Sequence, residues 1–76
     1  MDNETRDIEQ ERSATQFVAT LRRLADCIEE GKTFEIQVFG EKIVVPGDAI
    51  LSIEHERSES EEELEFQLKW SKVSEE

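Results

Sequence analysis

The feature that most constrains this chain is a change of hydrophobic period at Gly31-Lys32. Before it, Phe17, Leu21, Leu24 and Ile28 recur at spacings of four, three and four. At 3.6 residues per turn these fall on one face of a helix, with Val18 and Ala25 on its flank. Ser13 with Gln16 three positions on forms a capping-box sequence, which satisfies two open N–H groups at a helix start. Gly31 supplies the left-handed conformation that ends many helices, so the pattern predicts a helix from Ala14 to Glu30.

After Lys32 the period is two. Phe34, Ile36 and Val38 alternate with Glu35 and Gln37, and Gly40-Glu41 offers a two-residue hairpin turn before Lys42 to Val45 return. That turn sets Val38 opposite Ile43 and Ile36 opposite Val45, with both pairs on one face. Pro46-Gly47-Asp48 breaks the chain, then Ala49, Leu51, Ile53 and His55 alternate with Ile50, Ser52, Glu54 and Glu56. After a turn at Ser58 to Glu61, the run Leu64, Phe66, Leu68, Trp70 alternates with Glu65, Gln67 and Lys69. Pairing Ile53 with Phe66 places Leu51 opposite Leu68 and Ala49 opposite Trp70, the smallest inward side chain against the largest. The expected fold is α+β: one amphipathic helix packed on a four-stranded antiparallel meander sheet, in two layers. Residues 1–12 are expected to form a flexible acidic arm or a weak edge strand, residues 13–73 the domain, and residues 74–76 a frayed tail.

Charge narrows the partners. Nine Lys and Arg against twenty Asp and Glu leave a net −11, and sixteen of the acids are Glu. Nucleic acid as a direct ligand is disfavoured, because such binding draws on Lys and Arg that release phosphate counterions. An anionic membrane surface is disfavoured on the same ground. The longest apolar run, Ile43 to Pro46, is four residues, far short of the ~20 a bilayer crossing needs. The opening residues show no secretory pattern, and the lone Cys27 has no partner for an internal disulfide. The expected compartment is a reducing cytoplasm, and one rich in salt would screen the self-repulsion of so many carboxylates.

Three segments carry a family resemblance: LRRLADCIEEG at Leu21 to Gly31, the apolar-polar hairpin that follows, and ELEFQLKW at Glu63 to Trp70. In this order they resemble the amphi-Trp domain, named for an amphipathic final strand that ends in tryptophan. The resemblance covers roughly Ser13 to Trp70. It implies a short archaeal or bacterial protein without an established activity, with Trp70 as the marker residue, and it supplies no catalytic residues.

No chemistry-bearing constellation competes with that reading. His55 lies between Glu54 and Glu56, but consecutive strand residues point to opposite faces, so the three cannot converge on a metal. The acidic run Glu59 to Glu63 lacks the Asp/Asn spacing and glycine of a calcium loop. Cys27 has no base beside it, and no glycine-rich phosphate loop exists. The expectation is therefore no enzyme, no cofactor and no metal. Trp70 is assigned to the core by parity with Phe66 and Leu68. Phe39, Val44 and Ile50 form the candidate interaction patch, since the meander register sets Val44 directly opposite Ile50 on the outer face.

These features favour a non-enzymatic protein-interaction module, self-associating as a homodimer. Two sheet edges, Phe34 to Phe39 and Glu63 to Trp70, contain no proline to block pairing. Ile53, Leu64 and Phe66 lie on a hairpin that overhangs the rest of the sheet, where a second chain would cover them. The alternative is an acidic regulator that mimics a nucleic-acid backbone and occupies a basic groove of another protein. High salt separates the two, because it weakens charge pairing and spares apolar contact.

Overall fold

The computed structural model describes residues 8–72. The order is one helix and four strands: α1 (Ala14–Glu30), β1 (Phe34–Val38), β2 (Glu41–Val45), β3 (Ile50–Arg57) and β4 (Glu62–Lys69). The helix has the predicted limits. Ser13 Oγ accepts from the Gln16 N–H at 3.2 Å, and Gln16 Oε1 accepts from the Ser13 N–H at 3.1 Å, completing the capping box. At the other end Gly31 adopts φ 70° and donates to the carbonyls of the last turn.

All four strands pair antiparallel, but in two separate ladders, β1 with β2 and β3 with β4. The single four-stranded meander expected from the sequence is thus replaced by two hairpins, with β2 and β3 unpaired to each other. The connection explains the break. Pro46 has no N–H to give a ladder, and the Ala49 N–H donates to the Pro46 carbonyl at 3.2 Å, which closes the connection into a turn. Gly47 lies against the helix end so closely that a Cβ there would sit 2.7 Å from the Gly31 carbonyl oxygen.

The first hairpin also differs from expectation in register. Its turn is Phe39-Gly40, both at positive φ (50° and 81°), the signature of a type I′ turn whose twist matches that of the strands. Val38 therefore faces Glu41, Ile36 faces Ile43, and Phe34 faces Val45. The shift is by two residues, so the apolar face predicted for this hairpin is preserved. In the second hairpin the register is the expected one, with Ile53 opposite Phe66 and Leu51 opposite Leu68.

Packing is concentrated at one place. Among the described residues only Phe34 and Val45 are buried, at 5% and 6% exposure, and they face each other at the base of the first hairpin. Arg23 lays its guanidinium over the Phe34 ring, 4.7 Å from the centroid, a cation–π contact from helix to strand. A residual space of about 30 Å³ nearby is bordered by Leu24, Ile28, Phe34, Val45, Leu51 and Leu68, where helix and both hairpins meet. Of the arm expected at 1–12, residues 1–7 lie outside the described residues, as does the tail at 74–76. Residues 8–12 form no strand but are tied to the first hairpin, Arg12 at β1 and Gln10 at the turn residue Phe39.

Candidate functional site

The second hairpin is an amphipathic ribbon, because a period of two places alternate residues on opposite faces. One face carries Leu51, Ile53, Leu64, Phe66 and Leu68. Ile53, Leu64 and Phe66 keep 64–66% of their surface in solvent, and Leu51 keeps 51%. Leu24 and Ile28 of α1 approach only the end near Leu51 and Leu68, leaving a cleft of about 290 Å³ between helix and ribbon. The exposed part of this face amounts to roughly 500 Å², toward the upper end of the largest apolar patch that a monomer of ordinary kind displays.

The opposite face is acidic. Glu54 faces Glu65 and Glu56 faces Glu63, so two successive cross-strand rows hold like charges. Gln67 relieves one row, its Nε2 donating to Glu54 Oε1 at 2.6 Å and to Glu65 Oε1 at 3.0 Å. Among the described residues Glu56 has no such donor. The charge of Glu54 above all, then those of Glu63 and Glu65, raises its pKa above the usual carboxylate range.

At the ribbon's tip the pattern inverts. Glu62 Oε2 is 3.0 Å from His55 Nε2 and accepts from Arg57 Nε at 3.1 Å and Nη2 at 2.9 Å. These bonds, His55 first, lower the Glu62 pKa. His55 is therefore engaged across the strand pair with Glu62 and not with its chain neighbours. Sequence parity excluded the neighbours but did not reveal Glu62, which requires the register to find. Among the described residues no group of three or more His, Cys, Asp and Glu side chains could hold a metal ion.

The expected patch is not assembled as expected. Phe39 sits in the type I′ turn at 62% exposure, Val44 is in β2 and Ile50 begins β3. All three are exposed, but Val44 does not face Ile50: its partner is Glu35, and that of Ile50 is Lys69. The reason is the missing β2–β3 ladder, on which the opposition depended. Trp70 follows the last residue of β4 and keeps 39% of its surface exposed, so it is more covered than Phe66 at 65% yet is not sealed in a core. Its proposed opposition to Ala49 falls one step beyond the ladder's end.

The strand edges differ in a way that no sequence pattern announced. Along the outer edge of β1, Arg23 Nη1 donates to the Glu35 carbonyl at 2.7 Å and Arg12 Nη2 to the Gln37 carbonyl at 2.8 Å. The Phe39 N–H donates to Gln10 Oε1 at 3.0 Å. That edge is capped. On β4, the Ser58 N–H bonds the Glu61 carbonyl at 2.9 Å, which fixes the alternation of the ladder. By that alternation Leu64, Phe66 and Leu68 turn their backbone groups outward, and among the described residues no side chain caps them.

No helix among the described residues is long and apolar enough to cross a membrane. No curated protein and no solved structure matches the chain. The family model of the Amphi-Trp domain matches residues 1–76. With that match spanning its whole length, the chain belongs to the Amphi-Trp domain family.

Proposed function

We propose that this protein is a non-enzymatic interaction module whose partner is a second copy of itself. The observation that carries the reading is the bare apolar face of β3–β4, where Ile53, Leu64 and Phe66 are about two-thirds exposed. A standard interface covers about 800 Å² per partner, and this face, with Leu51 beside it, supplies a large part of that area. The carboxylate surplus suits a salt-rich, reducing cytoplasm, where screening lets two acidic copies approach.

A second reading draws on the opposite face. Glu54, Glu56, Glu63 and Glu65 present a compact acidic array, which suits an acidic regulator that enters a basic groove of another protein. Direct nucleic-acid binding and an anionic membrane surface remain disfavoured by the same charge. Sedimentation equilibrium over a hundredfold dilution at ~1 M KCl tests the leading reading. A mass of two chains, falling to one on dilution, supports it; the mass of one chain throughout overturns it.

A further inference from the structure

We propose that two copies join through the outer edges of β4, antiparallel about a two-fold axis at Phe66, to form one four-stranded sheet ordered β3-β4-β4-β3. This deepens the self-association reading above and rests on it.

The β4 edge is chosen by exclusion: a cap closes β1, β2 is short, and charge opposes β3. Arg12 and Arg23 occupy the outer carbonyls of β1, whereas the outward backbone groups of Leu64, Phe66 and Leu68 have no side-chain partner among the described residues. An uncapped strand edge is a template for another chain. β4 is also eight residues long against five for β1 and β2.

Charge and the length of strand paired select the register. With the two-fold at Phe66, Glu63 faces the partner's Lys69 and Glu65 faces the partner's Gln67, each twice by symmetry. Lys69 forms no ion pair within its own chain among the described residues, so it is available for that role. Moving the axis one residue back to Glu65 sets Glu65 against the partner's Glu65. Moving it forward to Gln67 sets Glu65 against the partner's Lys69, but it confines pairing within the strand to residues 65–69 and leaves Glu63 beyond the end of the partner's strand, opposite the partner's Ser71. The β3 edge offers no match of this kind: an axis at Glu54 or His55 opposes glutamates, and one at Ile53 sets Ile50 against the partner's Glu56.

The same register repairs the apolar face. A two-fold perpendicular to the sheet keeps both apolar faces on one side, so Phe66 lies beside the partner's Phe66 and Leu64 beside the partner's Leu68. Leu24 and Ile28 approach the Leu68 end of the ribbon and leave the Leu64 end bare. In the pair, the bare end of each strand comes about 5 Å from the covered end of the other. Each helix then shields part of its neighbour's ribbon, which one chain alone does not achieve.

The test is a charge swap in the full chain, with dimer dissociation constants measured by sedimentation equilibrium at ~0.15 M and ~1 M KCl. Lys69→Glu and Glu63→Lys each oppose like charges twice in the dimer and should weaken it about tenfold or more at the lower salt. The double variant Glu63→Lys/Lys69→Glu restores both pairs and should return the constant to within about threefold of the parent. Amide hydrogen exchange gives a readout free of substitution: Leu64, Phe66 and Leu68 should gain protection with protein concentration, while Arg57 and His55 on the β3 edge should not. A dimer indifferent to the single changes, a double variant that stays weak, or protection confined to other strands overturns the β4 edge while self-association stands. A protein with the mass of one chain at both salts overturns both.

Discussion

The two hairpins are built from the same alternation of apolar and polar residues, yet one is finished and the other is not. In β1–β2 the inner row closes on Phe34 and Val45, a cation from α1 covers the ring, and two arginines seal the outer edge. In β3–β4 the strands are longer, the inner row stays open, no side chain among the described residues caps the β4 edge, and like charges face each other across the outer rows. The difference teaches that amphipathicity alone does not make a core. A seventeen-residue helix can cover one short hairpin; a second, longer one exceeds its reach, and what remains is surface suited to another molecule.

The sharpest way to break this comparison is a pair of truncations. Phe34→Ala should cost about 3–5 kcal/mol, because it empties the buried centre of the first hairpin. Phe66→Ala, assayed at concentrations where the protein is a single chain, should cost under about 1 kcal/mol. Urea unfolding followed by circular dichroism measures both. Equal losses would show that the second hairpin is as well packed as the first.

The junction between them is the next target. Gly47→Ala puts a methyl group 2.7 Å from the Gly31 carbonyl oxygen, a backbone contact that cannot swing aside, so a loss of about 1–3 kcal/mol is expected in the same assay. An unchanged midpoint would mean that the two hairpins are less tightly joined at the helix end than the contact implies. A smaller effect belongs to the cap. Arg23→Gln removes both the bond to Glu35 and the cation over Phe34, and should cost about 1 kcal/mol, with faster amide exchange along β1.

The smallest effect is electrostatic and has a sign. The raised pKa of Glu56 means that the folded state binds this proton more readily than the unfolded chain, so stability rises as pH falls from neutrality through that raised value and is fully gained below 4.5. Glu62 works the other way: its stabilising bonds to His55 and Arg57 are complete above 4.5 and are lost as pH falls through its lowered value. The melting temperature should therefore rise as pH falls from neutrality toward the ordinary carboxylate value, and Glu56→Gln should flatten that rise. A rise of the same height in that variant would assign it to the other carboxylates.

How much of this was legible depended on whether the deciding signal was local. The limits of α1 were, because Ser13, Gln16 and Gly31 act within a few residues of their own positions. So was the register of β3–β4, fixed by apolar parity and a four-residue turn. The first turn was read as Gly40-Glu41 because glycine in the first place suits a type II′ turn. The structure instead asks Phe39 to take positive φ, which costs a non-glycine residue about 1 kcal/mol or more, so its sequence gives no warning. The β2–β3 ladder failed for a different reason: parity is equally satisfied by one sheet of four strands or by two of two. The arginine caps could not be read at all, since their acceptors are backbone carbonyls, which every residue carries.

The contact of Gly47 with Gly31 has a consequence for how such a domain varies through descent. Between the hairpins the chain meets the helix end backbone to backbone, Gly47 against the carbonyl of Gly31, with no side chain interposed. The exposed residues of the ribbon, Ile53, Leu64 and Phe66 among them, take no part in that contact. Exchange of one apolar residue for another on the ribbon leaves the junction as it is, whereas a side chain at position 47 does not.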